Sequence, residues 1–171
     1  MERLVEKTTE SAEAAGLTGS LDGLRFRPMN SSDLSEVIEI ERASFAYPWS
    51  TNFFLQELKV GCARSLLAVV GDRPVGYIIY WLLQHEIDVH NLAVHPSYRR
   101  QGIGKALLEA VIEEARRQRA NRVTLEVRKS NEEAQKLYQA LGFSAKGVRT
   151  AYYSDDGEDA LIMALELEGP V

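Results

Sequence analysis

Two side chains carry the most pointed chemistry in this chain. Glu126 sits between Leu125 and Val127 in "RVTLEV", so strand alternation turns its carboxyl away from its apolar neighbours. Tyr138 follows Ala134 and Leu137 and precedes Leu141, on one apolar stripe of a helix. A carboxylate and a neutral phenol beside a reacting centre can take up and give a proton. The plainer alternatives are a solvated carboxylate or an ion-pair partner of Arg128, and a core tyrosine. A third feature is basic. In "HPSYRRQGIGKALLEA", Arg99 and Arg100 run into a turn at Gly102 and Gly104, with Lys105 behind them and a helix starting at once. A helix N-terminus presents unpaired N–H groups and the positive end of the helix dipole, and glycines let a ligand approach the backbone. The turn therefore suits a phosphate-bearing ligand.

Two phosphate motifs can be tested there. A P-loop needs glycine five residues before the Gly-Lys pair and Ser or Thr after it; Arg99 and Ala106 stand there instead. A dinucleotide fingerprint needs Gly-x-Gly-x-x-Gly after a first strand and an acid about 20 residues on. Glu126 lies at a tempting distance, but Leu107 replaces the third glycine and polar "HPSYRR" separates turn from strand. A helix start that is merely basic stays open on the residues alone. His85, His90 and His95, spaced by five, lack ligand geometry on one helix face, so no metal is expected.

The elements that must position these groups follow from periodicity. A chain of 171 residues with a single cysteine, Cys62, reads as one domain suited to a reducing cytoplasm. Hydrophobic residues at 45% and charged residues at 26% are ordinary for a soluble globular protein, and a net charge of −5 argues against a nucleic-acid surface. No run approaches the length of about 18 apolar residues that would span a membrane. Residues 1–22 read as a polar, flexible extension without a signal-peptide centre, and 23–168 as the folded domain.

Within that domain "LRFRPM" alternates as a first strand, and "SSDLSEVIEIERASF" is a helix with Leu34, Val37, Ile38 and Phe45 inward. Thr51 to Leu58 forms a short second helix. "RSLLAVV", "PVGYIIYWLL" and "EIDVHNLAV" are strands. The glycine turn opens a third helix with Ile103, Leu107, Leu108, Val111, Ile112 and Ala115 inward. After "RVTLEV", Ser130 and Glu133 form a capping box for a fourth helix that ends at Gly142. "SAKGVRTAYY" and "DALIMALEL" close the domain as paired strands around Asp156 and Gly157. The class is mixed α/β.

"RRQGIG" contains Arg-x-x-Gly-x-Gly, and with "NLAV", "LEVRKSN", "AQKLYQALGF" and "YYSDDGEDALIMAL" following the family's order, the chain resembles the GCN5-related N-acetyltransferases (GNAT) over about residues 24–166. "AYPWS", "LEVRKSNEEAQKLYQALGF" and "EDALIMAL" are similar to the ribosomal-protein-alanine branch, the RimI type. "VRKSN" and "YYSDDGEDA" also resemble archaeal and eukaryotic catalytic subunits that acetylate protein N-termini.

The resemblance implies an acyl-CoA N-acyltransferase fold, a mostly antiparallel central sheet flanked by helices. It implies acetyl-CoA as co-substrate, with the backbone of Leu92, Ala93 and Val94 pairing with the pantetheine arm. Arg99 fills the first motif position, and the N–H groups of Arg100, Gln101, Gly102, Ile103, Gly104 and Lys105 receive the pyrophosphate. Asn131 matches an asparagine near the cofactor, and satisfying its own helix start is the equal alternative. Glu126 becomes the proton acceptor and Tyr138 the proton donor. Tyr47, Pro48 and Trp49, with Tyr152 and Tyr153, match residues beside the acceptor peptide.

Amine attack on a thioester needs a neutral amine. An α-amino group with a pKa near 7.8 is neutral roughly one part in seven at pH 7, and a lysine near 10.4 about once in 2,500. The pKa gap favours an α-amine, and the resemblance implies acetylation of a protein N-terminus, the N-terminal alanine of a ribosomal protein, with no nucleic acid or membrane as direct partner. Asp155, Asp156, Glu158 and Asp159 could attract basic residues downstream of that terminus. A small-molecule amine or lysine acetyltransferase is the alternative within enzymes. A non-catalytic acyl-CoA-binding module would be expected to lose Glu126 or Tyr138.

Overall fold

The computed structural model describes residues 23–168, so the expected extension 1–22 lies outside the described residues. Their strands are β1 Leu24–Pro28, β2 Ala63–Val70, β3 Arg73–Leu82, β4 Glu86–Val94, β5 Arg122–Arg128, β6 Ser144–Arg149 and β7 Ala160–Glu166. The helices are α1 Leu34–Ser44, α2 Thr51–Glu57, α3 Ile103–Arg117 and α4 Glu132–Ala140. The sheet runs β1-β2-β3-β4-β5-β7-β6. β1 pairs with β2, and β7 with β5 and β6, antiparallel; β4 and β5 are parallel. This is the mixed, mostly antiparallel α/β class that the sequence implied. No helix among the described residues is long and apolar enough to cross a membrane.

The described residues form two compact units, one comprising residues 23–80 with Asn91–Val111, the other Trp81–His90 with residues 112–168. In the first, Val37, Ile40, Phe54, Leu67, Tyr77 and Ile79 form the core. Asn30 and Asp33 make the capping box that starts α1, through the turn Ser31–Asp33. Leu34, Val37 and Ile38 point inward as expected, but Phe45 does not. The helix stops at Ser44 and Phe45 continues in extended backbone, 38% exposed, so the helical stripe no longer applies to it. Ser50 caps α2 by accepting from the Phe53 N–H.

Ile103, Leu107, Leu108, Val111, Ile112 and Ala115 of α3 are all buried. In the second unit β5 buries Val123, Leu125 and Val127 and turns Thr124, Glu126 and Arg128 to its other face. Asn131, not Ser130, caps α4: its side chain accepts the Ala134 N–H at 3.1 Å. The helix starts one residue later than the capping-box spacing suggests, and the Ser130 N–H goes to Glu158 at 2.7 Å. The helix is closed by Gly142 at φ 96, in the left-handed region that favours glycine. β6 ends at Arg149, so Tyr152 and Tyr153 lie in a loop rather than a strand. Ala151 at φ 50 turns the chain out of the ladder.

Candidate active site

The second unit holds the acid–base candidates. The parallel ladder sets Asp88 beside Thr124, whose hydroxyl donates to Asp88 Oδ1 at 3.0 Å. Glu126 is the next residue on that face. Its Oε1 meets Arg149 Nε at 3.0 Å, so its ion-pair partner is Arg149 and not Arg128. β7 lies between them, with Ile162 opposite Glu126 and Ala160 opposite Arg149. Arg149 thus reaches diagonally across β7. Its guanidinium also stands 5.8 Å from the Tyr152 ring centre, and Tyr152 meets Tyr153 edge-on at 5.2 Å.

Arg128 fixes the same loop from below. It stacks on Tyr153 at 3.9 Å and donates to Asp155, Asp156 and Glu158. Asp159 accepts the Ala151 N–H at 2.9 Å. The acid run expected to reach for basic residues is therefore engaged in holding its own loop. Burial pushes the Tyr138 hydroxyl up to about 12, and neighbouring Tyr153 adds to it. Burial likewise carries Tyr153 to about 12; Arg128 opposes this, while Tyr152, Glu126 and Glu158 reinforce it. Tyr152 is raised by burial and by Glu126. All three phenols keep their protons at neutral pH.

The first unit holds the candidate phosphate loop. The β4–β5 ladder runs from Glu86–Arg122 to Val89–Leu125, and β4 continues past it through Leu92, Ala93 and Val94. His95 Nδ1 then accepts the Ser97 N–H, capping the turn Pro96–Tyr98. Arg99 braces the loop, donating to the Val94 carbonyl at 2.9 Å and to Ser44 Oγ at 3.0 Å. Arg100 and Gly102 take left-handed φ angles of 63 and 83, Gln101 lies between them, and α3 begins at Ile103. The first-turn N–H groups of a helix, here Ile103, Gly104 and Lys105, have no acceptor within the helix. With Gly102 at the turn, this donor set fits a pyrophosphate. Lys105 also faces Glu109 at 3.8 Å.

Trp49 and Tyr47 differ sharply. The Trp49 ring packs on Phe53 and Phe54 at 4.4 and 5.5 Å, and the Trp49 backbone N–H donates to Glu41 Oε1 at 2.8 Å. Tyr47, two residues before it, is 61% exposed.

Residues 34–143 match the model of the acetyltransferase (GNAT) family. The chain belongs to that family. It is 36% identical over 141 residues to the [ribosomal protein bS18]-alanine N-acetyltransferase of Escherichia coli K12, covering 81% of this chain and 95% of that one. The crystal structure of the E. coli ribosomal-protein-S18-alanine N-acetyltransferase superposes with a TM-score of 0.80 at 33% identity, covering 86% of this chain and 96% of that one. A GNAT family acetyltransferase from Elizabethkingia anophelis, crystallised with acetyl-CoA bound, shares the fold at a TM-score of 0.72 and 20% identity, over 85% of this chain and 99% of that one.

Several residues of this GNAT chain escape a reading of motifs. Arg149 lies outside every quoted motif, and only the insertion of β7 between β5 and β6 brings it to Glu126. Asp88 bears on Tyr152 through the parallel pairing of β4 and β5. Glu41 did leave a signal: it stands seven residues after Leu34, on the stripe of Leu34, Val37 and Ile38, where a core face rarely holds an acid.

Proposed function

We propose that this GNAT enzyme transfers acetyl from acetyl-CoA to the N-terminal α-amino group of a protein, the N-terminal alanine of a ribosomal protein in the cytoplasm. In this reading residues 23–168 work as one N-acetyltransferase domain. The observation that carries it is the Glu126 cluster, in which one carboxyl group stands near Tyr152 and Tyr153, phenols that hold their protons. The similarity to the E. coli alanine N-acetyltransferase supports the choice of acceptor.

Acetyl-CoA, when bound, supplies an electrophilic thioester carbonyl. The main chain of Leu92, Ala93 and Val94 holds the pantetheine arm as an added strand would be held. The N–H groups from Arg100 to Lys105 receive the pyrophosphate, Arg99 keeps their loop in shape, and Asn131 fixes the start of α4. Glu126 takes the amine proton at its carboxylate, directly or through a water. Tyr138 donates a hydrogen bond to the departing sulfur. A thiol near 8.5 against a phenol near 12 makes complete proton loss from Tyr138 uphill by about 5 kcal/mol, so its bond strengthens as the C–S bond lengthens. Tyr47 and Tyr152, both exposed, offer rings to the acceptor peptide, and Trp49 and Tyr153 hold their loops.

An α-amine is easier to deprotonate than lysine by about 3.5 kcal/mol, which favours the N-terminus. Incubation with acetyl-CoA and peptides that begin with Ala or Ser and contain an internal lysine tests the reading. Tandem mass spectra should place acetyl on the α-amine, with lysine far slower. Acetyl found mainly on lysine, or only on small amines such as polyamines, refutes it.

A further inference from the structure

Glu41 is 1% exposed in the apolar core of the first unit. Its Oε1 accepts the backbone N–H of Trp49 at 2.8 Å. Its Oε2 accepts the Tyr77 hydroxyl and, at 3.1 Å, the Asn91 side-chain amide. Asn91 Nδ2 also donates to the Tyr77 hydroxyl at 3.1 Å, closing a ring of three groups. Every bond that the Glu41 side chain makes runs toward it, the pattern of an acceptor-only carboxylate, and its donors are neutral. Burial beside Glu41 drives the Tyr77 hydroxyl far above its ordinary value, so Tyr77 is a permanent donor. A buried carboxylate is weak as a source of stability, since an apolar side chain of similar volume fills such a space without desolvating a charge. Its advantage here is geometric, because each donor comes from a different segment.

Those segments are informative. Trp49 lies in the stretch between α1 and α2 that carries Tyr47, Tyr77 is in β3, and Asn91 immediately precedes Leu92–Val94. The Trp49 ring is held by Phe53 and Phe54 while the Trp49 backbone N–H is held by Glu41, a two-point anchorage. Pro48 fixes its own φ and biases Tyr47 before it toward extended backbone. Short chain, proline and anchored tryptophan together restrict the backbone that carries the exposed Tyr47 ring.

We propose that Glu41 is a positioning residue for acceptor recognition, locking the 45–50 loop and its Tyr47 against β3 and β4. It rests on the N-acetyltransferase reading above and adds a residue that touches no substrate. Glu41→Gln keeps the size but turns one acceptor into a donor, facing either the Trp49 backbone N–H or Tyr77 and Asn91. The acceptor-peptide KM should rise at least tenfold, while the acetyl-CoA dissociation constant changes less than twofold. Hydrogen exchange should quicken at Ala46, Tyr47 and Trp49 and stay unchanged in α3 and β5. Adding Asn91→Asp supplies an acceptor for the new amide and should recover most of the KM. Tyr77→Phe removes one donor while keeping the ring; it should move the KM the same way, and it serves if Glu41→Gln does not fold. An unchanged peptide KM in either folded variant overturns the proposal, as does exchange that quickens evenly along the chain. If the wild-type enzyme acetylates no N-terminal peptide, the proposed function fails, and exchange at 46–49 by itself decides the role of Glu41.

Discussion

Glu126→Gln removes a proton acceptor while leaving the size of the side chain and an oxygen for Arg149. The structure separates its two costs. The Glu126–Arg149 pair spans 3.0 Å with side chains 21% and 54% exposed. A pair so open to water contributes about 0–1 kcal/mol, so the melting temperature should fall by no more than about 4 °C. Losing a general base lowers kcat by roughly 10²–10⁴, or about 3–5.5 kcal/mol of transition-state stabilisation. Acetyl-CoA affinity should hardly change, because none of the proposed cofactor contacts involves Glu126. Part of the kcat loss should return with alkali. An α-amine is roughly one-seventh neutral at pH 7 and almost wholly neutral at pH 9, so the deficit should narrow by a factor approaching seven. The assay is steady-state acetylation of an Ala-starting peptide from pH 6.5 to 9.5, with calorimetry for acetyl-CoA. Near wild-type kcat at pH 7, or a deficit that does not narrow, would leave Glu126 as no more than the partner of Arg149.

Gly102→Glu should abolish acetyl-CoA binding in calorimetry while circular dichroism stays native. It sets bulk and negative charge at a φ of 83, where left-handed strain adds about 1–2 kcal/mol; a folded variant with unchanged affinity would remove this loop from the site. Tyr138→Phe should lower kcat by roughly 10²–10³, as for the loss of one well-placed donor. Because burial raises Tyr138 to about 12, the phenol stays protonated and its loss cannot bend the wild-type rate profile between pH 8 and 10. A decline in that window that disappears in Tyr138→Phe would show that the phenol titrates there.

Local patterns made much of this molecule legible. Alternation alone faced Glu126 away from Val123, Leu125 and Val127, and helical spacing named the buried side of α3. These are properties of a single element, written in its own residues. Phe45 departs from the helical stripe because the stripe persists in the sequence after the helix has ended. Ser130 and Asn131 are both good caps, and hydrogen bonding by Glu158, far along the chain, decides between them. The Glu126–Arg149 pair depends on strand order, which no local spacing encodes. Tyr152 and Tyr153 leave the strand because Ala151 adopts a left-handed turn, a conformation its methyl side chain does nothing to announce.

The loop after β6 is tied mostly to itself. The β6–β7 ladder closes on Arg149 opposite Ala160; inside it Tyr153 donates to the Glu158 carbonyl and Gly157 to the Tyr153 carbonyl. Arg128, Lys129 and Ser130 supply its outer moorings, all from the end of β5 and the residues just after it. Such a stretch can be exchanged as a cassette. A lineage that keeps Arg128, and an acid to meet it, is free to rewrite residues 150–159 without disturbing a buried strand. On the proposed reading, in which Tyr152 meets the acceptor peptide, acceptor preference can be rewritten there while the core stays intact.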